Sequence, residues 1–300
     1  MKFALALAFA LLLRIPAGVA QTPPALAADP PADRTQPAGS AAVRIANHGE
    51  RMNALIYLPA GRGPHPVALL LHGFPGNEQN LDLAQAMRRA GWAVITFHYR
   101  GSWGSEGTFS FDSAVDDGSA VLAWAGDAAN AQKFRLDPKR VVVLGHSMGG
   151  YVAAQVCAQA TVLGCALIAP WDLSFDQRLV APQSPAERDR TAATEFDDVD
   201  GRIAGMTARE VVEQLATRGE KWDLSKAAPG LAPRRLLIVL AAHDTDDAKA
   251  VSLLSALRAQ HAASLRTETL DTDHAFNDRR IALERLVLEW LATLPGAPRH

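Results

Sequence analysis

Only two cysteines, Cys157 and Cys165, occur in the 300 residues. Two thiols with no histidine at ligand spacing do not make a metal site. The pair is left open between a disulfide, joining the end of one helix to the start of the next strand, and two small buried thiols. Clustered positive charge is missing as well. The 30 basic side chains are balanced by 32 acidic ones, and no run of Lys and Arg could follow a phosphate backbone, so nucleic acid is not an expected partner. No apolar run reaches the roughly 20 residues of a membrane-spanning helix. Gly73 and Gly76 do not form a dinucleotide fingerprint, and no metal, nucleotide or flavin signature stands out, so no cofactor is expected.

The chain begins with Lys2, an apolar stretch from Phe3 to Leu13, Arg14, and the small-residue run Ala17-Gly18-Val19-Ala20. That order is the pattern of a secretory signal peptide over residues 1–20, with cleavage after Ala20 or, alternatively, after Ala27. A periplasmic or secreted protein with no stable membrane insertion is the expectation; an uncleaved anchor is the rival, disfavoured by length. Residues 21–42 hold Pro23, Pro24, Pro30, Pro31 and Pro37 with little to bury, and read as a flexible tether. The folded domain is then expected to run from Val43 to residue 300.

With 48% hydrophobic residues the chain can bury one sizeable core. From Val43 onward, short β-branched runs alternate with longer helical patterns, which predicts a mostly parallel sheet covered on both faces. Val43–Asn47 and Met52–Leu58 have no helix between them and read as an antiparallel edge hairpin. Strands are predicted at Val67–Leu71, Ala93–His98, Val141–Leu144, Ala166–Ala169, Leu236–Ala241 and Leu265–Leu270. Helices are predicted at Glu78–Ala90, 112–125, Ser147–Ala160, Asp246–Gln260 and Arg279–Leu294. The alternation lapses after Pro170, and a loop that long is improbable within one domain, so residues 171–232 are predicted to form a partly helical cap. Helices at Thr207–Thr217 and Glu220–Ala227 would belong to it. The acidic run Glu195, Asp197, Asp198 and Asp200 lacks calcium-loop spacing and reads as a solvated loop.

Val141 to Gly150, VVVLGHSMGG, places G-x-S-x-G between a buried strand and a small-residue helix. A serine on such a strand-to-helix bend is held in a strained conformation, and positions 145 and 149 must lack a Cβ to let the backbone pass. Ser147 is therefore the candidate nucleophile, at a helix N-terminus that favours developing negative charge. Its bland counterpart is an inert serine in a glycine-rich turn. The strand Leu236–Ala241 is followed by His243-Asp244-Thr245-Asp246-Asp247, where Asp244 is the candidate acid; Asp246 and Asp247 stand as alternatives, and helix capping would explain any of the three. His274 directly follows the last strand and is the candidate base. His261 lies in or just after a helix and His300 is terminal, so neither has a scaffold to fix it.

Residues 67–150 and 236–278 resemble the α/β-hydrolase superfamily, in particular its dienelactone-hydrolase and prolyl-oligopeptidase-like branch. The resemblance rests on His72-Gly73-Phe74-Pro75-Gly76, Tyr99-Arg100-Gly101-Ser102-Trp103-Gly104-Ser105, Gly145–Gly150 and Asp273-His274-Ala275-Phe276. It implies an α/β-hydrolase fold with a small cap and the chain order nucleophile, acid, base, here Ser147, Asp244, His274. It also implies an oxyanion hole formed by the main-chain N–H groups of Phe74 and Met148, with His72 a structural hydrogen-bonder. Trp103 and Trp171, with Phe74, are candidates to line an acyl pocket, although loop packing explains them as well. Glu106 reads as a solvated surface residue rather than a substrate contact.

The expected chemistry is hydrolysis of a carboxylic ester through an acyl-enzyme on Ser147, with a small-molecule ester or short peptide as substrate. Amide cleavage and transfer to an acceptor other than water use the same triad and stay open. The peptidase branch holds a peptide amine on a pair of acidic residues, for which this sequence offers no secure counterpart. A silent binding protein on the same fold would normally have lost a triad member, and all three are present.

Overall fold

The computed structural model describes residues 22–244 and 247–298; the expected signal peptide lies outside the described residues. Eight strands form one sheet: β1 (Gly39–Asn47), β2 (Glu50–Leu58), β3 (His65–Leu71), β4 (Ala93–Phe97), β5 (Leu136–His146), β6 (Gly164–Ile168), β7 (Leu236–Ala241) and β8 (Leu265–Leu270). Their order is β1-β2-β4-β3-β5-β6-β7-β8. The β1–β2 hairpin and the β2–β4 pair are antiparallel and every later pair is parallel. The continuous apolar runs sit where they must: β3, β4 and β6 are buried at every residue, while edge strand β8 alternates.

One face of the sheet is covered by α2 (Leu81–Arg89) and α11 (Arg280–Ala292), whose Leu83, Met87, Leu283, Val287 and Leu291 share a cluster with Val142 and Leu144. The other is covered by α3 (Phe111–Gly126), α5 (Met148–Gln159) and α10 (Asp247–Ala259). A short α4 (Ala128–Phe134) follows α3 directly. Between β6 and β7 lies the cap: α6 (Leu173–Val180), α7 (Pro185–Glu195), α8 (Ala208–Arg218), two 3-10 turns at Gly219–Trp222 and Leu224–Ala227, and α9 (Ala228–Leu231). Backbone bonds between Gly101 and Ala204, and between Phe109 and Ala204, fasten it to the loop after β4.

Several expectations change. The helix predicted from Glu78 starts three residues later, because Asn80 adopts a left-handed conformation (φ 56°) and the Glu78 side chain accepts from its amide. The region 220–227 forms two 3-10 turns rather than one helix. The segment read as a flexible tether lies against the domain. Pro24–Ala27 forms a short helix, α1, with Ala25 buried against α2 and α11, and the Ala25 carbonyl accepts from Arg89 Nε at 2.7 Å. Strand β1 begins at Gly39, four residues before the expected boundary. Cys157 on α5 and Cys165 on β6 form a disulfide with Cα atoms 6.3 Å apart, which resolves the pair in favour of the first alternative.

Candidate active site

The bend between β5 and α5 holds Ser147 at φ 55° and ψ −123°, a region that costs a non-glycine residue about 1–3 kcal/mol. The strain is imposed by packing. A Cβ on Gly145 would lie 1.9 Å from the Gly149 carbonyl oxygen, and one on Gly149 would lie 2.2 Å from the Leu71 carbonyl oxygen. The bend closes only because both are absent. The Ser147 amide donates to Ile168 O at 3.0 Å, and Ser147 O accepts from Gly150, Tyr151 and Trp171. The serine backbone is thus tied to β6, α5 and the root of the cap.

His274 Nδ1 lies 2.5 Å from Asp244 Oδ2, the Asp244 side chain being buried and that of His274 about one-third exposed. An N–H donated from Nδ1 to the carboxylate leaves Nε2 bare to accept a proton. Asp244 stands just beyond the end of β7 and His274 just beyond β8, so the sheet brings both to the edge where β5 delivers Ser147. All three side chains line one cleft of about 590 Å³ beneath the cap. The alternatives Asp246 and Asp247 fall outside the residues whose side chains are described.

The loop after β3 crosses directly over the serine: a Cβ on Gly73 would be 3.1 Å from Ser147 Cβ and 3.6 Å from Oγ. His72 Nδ1 donates to Gly73 O at 2.7 Å. That carbonyl and the Phe74 N–H belong to one peptide unit, so the bond fixes the direction in which the amide faces. Burial pushes the His72 pKa down to about 4, keeping the ring neutral, and Tyr99 Oη donates to the His72 carbonyl at 3.1 Å. Met148 opens α5, whose first-turn N–H groups have no partner within the helix.

Phe74, Trp171, Leu179, Val180, Phe196 and Leu215 give the cleft apolar walls. Trp171 packs on Phe196 with ring centroids 6.3 Å apart, and its indole N–H donates to Asp176. Trp103 is a correction: it lies outside the cleft lining, and its indole donates to the Pro75 carbonyl at 2.6 Å, bracing the loop from behind. The acidic run is solvated as read, with Glu195, Asp197 and Asp200 exposed and Asp198 half-buried, but part of it also faces the cleft. Glu195 and Asp198 line the cleft with Asp176, and Asp198 accepts from Asn77, linking the cap to the loop after β3. Glu106 pairs with Arg51 at the surface, as read.

Sequence reasoning gave no role to His146. Its ring is buried and its Nε2 donates to the carbonyl of His274 at 2.8 Å. A histidine directly before the candidate serine was the only visible signal.

The chain matches the model of the Alpha/beta hydrolase family over residues 68–285 and belongs to that family. It is similar to esterase EstD of Thermotoga maritima, 29% identical over an alignment 129 residues long that covers 38% of this chain and 29% of that protein. It is 32% identical over 103 residues to the lysophosphatidylserine lipase ABHD12 of Danio rerio, covering 33% of this chain and 25% of that lipase. The chain spans about half or less of the length of the curated relatives it matches. Among solved structures, Est1E from Butyrivibrio proteoclasticus with bound ferulic acid superposes with a TM-score of 0.63 at 17% identity, covering 83% of this chain and 98% of that one. The esterase Pf2001 of Pyrococcus furiosus gives 0.62 at 14% identity, covering 90% and 98%. At these identities the structural likeness is one of fold.

Proposed function

We propose that the protein is a serine hydrolase that cleaves carboxylic esters through an acyl-enzyme on Ser147. The observation that carries this reading is the 2.5 Å His274–Asp244 contact in the same cleft as a serine held in a strained bend. His274 Nε2 takes the hydroxyl proton as Oγ attacks the acyl carbon, and Asp244 stabilises the imidazolium. The oxygen that gains charge is met by the amides of Phe74 and Met148; one such donor contributes about 3 kcal/mol where it has been removed. The alcohol leaves with the proton from His274, and water, deprotonated by the same ring, releases the acid. Relatives named as esterases and a lipase support the reaction class, and the aromatic walls suit an aryl or alkyl acyl group.

Amide cleavage is the second reading. The carboxylates Asp176, Glu195 and Asp198 in the cleft favour it, because they are suited to holding a substrate amine. Turnover of nitrophenyl esters of increasing chain length, measured beside aminoacyl anilides, separates the two. Ester turnover that survives in a folded Ser147→Ala protein would reject both.

We also infer that the protein is exported. The leader-like residues 1–20 and the Cys157–Cys165 disulfide support this. Docking of α1 favours cleavage after Ala20, since cutting after Ala27 would remove the buried Ala25. Among the described residues no helix is long and apolar enough to cross a membrane. N-terminal sequencing of the protein recovered from outside the cytoplasm tests the inference; recovery only from the cytoplasm with Met1 intact would overturn it.

A further inference from the structure

We propose that His146 is a positioning residue for the base, a tether that sets the His274 backbone relative to the nucleophile; the inference rests on the reading of Ser147 and His274 given above. His146 occupies the last position of β5, immediately before Ser147. Its Nε2–H donates to His274 O at 2.8 Å, a contact across 128 residues of chain. The ring packs near those of His274, 4.8 Å away between centroids, and Phe276, 6.3 Å away. One covalent bond step from the nucleophile, a rigid ring therefore grips the main chain of the base. The spacing of the two reacting groups is then set by one short side chain instead of by two loops that vary independently.

The loop that carries His274 needs such a grip. Asp271, Asp273 and Asn277 are exposed, and the segment is held by the buried Phe276, by Asn277 N and Phe276 N donating to Asp273, by His243 N donating to Thr272 O, by Arg280 Nη1 donating to Ala275 O at 2.9 Å, and by Thr272 donating to Asp278 at 2.5 Å. None of these bonds reaches His274 itself. Asp244 holds the His274 ring, and the His146 contact holds its main chain.

His146 is not a second base. It does not line the cleft, Nε2 is committed to the carbonyl, and Nδ1 is buried without a partner among the described residues. A bare buried nitrogen costs stability that a leucine of similar volume would not. Histidine at this position is thus poor for packing and good for reaching the carbonyl, which is the pattern of a residue kept for function. Burial and the neighbouring His274 also hold the ring neutral, so the imidazolium that forms at His274 during turnover meets no like charge.

The test compares wild type with His146→Leu, His146→Gln and His146→Asn in the full mature protein on a nitrophenyl ester. Leucine removes the donor, asparagine is too short to reach, and glutamine restores an N–H near the same carbonyl. Leucine and asparagine are expected to lower kcat about 10- to 100-fold with KM changed less than about twofold, and glutamine to recover most of the loss. Melting midpoints at pH 8 should stay within about 4 °C of wild type. The low-field proton resonance of the His274–Asp244 hydrogen bond should broaden or vanish with leucine and return with glutamine. This last readout needs no turnover, so it tests the tether even if esters are not substrates. Wild-type kcat and an unchanged resonance in the leucine variant would overturn the tether alone. A wild-type protein inert to both esters and fluorophosphonates would instead overturn the reading of the site.

Discussion

Acid should destabilise this protein earlier than its carboxylates alone would dictate, because two buried neutral histidines support the candidate site. Burial is the leading cause in each case, and it pushes His72 from 6.5 to about 4 and His146 from 6.5 to about 3. The unfolded chain therefore binds more protons than the folded one between pH 6.5 and 4, and stability falls as pH drops through that window. Above pH 6.5 the contribution of each ring is fully present. At pH 5 an unfolded histidine is almost wholly protonated while the folded ring is not, a difference of about 2 kcal/mol per residue. Together the pair should cost about 4 kcal/mol between pH 8 and pH 5, or roughly 8–16 °C in melting midpoint. Asp82 and Asp112 have carboxyls held below the usual range, so their losses come at lower pH. His65 and His98 are shifted in the same direction as His72 and are common to every variant. The difference between wild type and His146→Leu isolates one ring. Denaturant unfolding at pH 8, 6.5, 5.5 and 5 should give a curve about 2 kcal/mol flatter for the variant, which becomes the more stable protein at pH 5. Parallel curves for the two proteins would refute the assignment of His146 as a buried neutral ring.

Other outcomes follow from the same geometry. Asp244→Asn replaces the carboxylate that faces His274 Nδ1 and should lower kcat/KM about 10²- to 10⁴-fold in a folded protein, as steady-state kinetics would show. Gly149→Ala drives a methyl to within 2.2 Å of Leu71 O and should cost about 3 kcal/mol or more, measured by denaturant unfolding, with loss of activity as the bend opens. Reduction of Cys157–Cys165, which are 8 residues apart, should lower stability by about 2–3 kcal/mol without abolishing hydrolase activity, since the bond ties α5 to β6 away from the cleft.

The sheet was readable because its central strands are buried on both sides and so carry unbroken apolar runs, such as residues 67–71 and 141–144. The bend at Ser147 was readable because steric necessity leaves a glycine signature at 145 and 149. What escaped depends on contacts between distant segments. Helix α7 buries only Ala192 within its length, so it has no apolar stripe to betray it. The Pro24–Ala27 turn looks like linker composition until Ala25 meets α2 and α11. Trp103 stood near a strand end, as a pocket residue would, but its indole turns to the Pro75 carbonyl behind the loop. Glu195 and Asp198 gave no sign of lining the cleft, because only the fold of the cap brings them to its wall. His146 was silent for the same reason: its partner is a main-chain carbonyl, which no side-chain pattern reports.

The central claim is that Ser147 is an activated nucleophile. Intact-mass spectrometry of the protein after treatment with a fluorophosphonate, followed by peptide mapping, addresses it most directly. One adduct per chain on the peptide containing Ser147, abolished in Ser147→Ala and slowed in Asp244→Asn, is the expected result. An unlabelled wild-type protein, or an adduct on another residue that persists in Ser147→Ala, would contradict it.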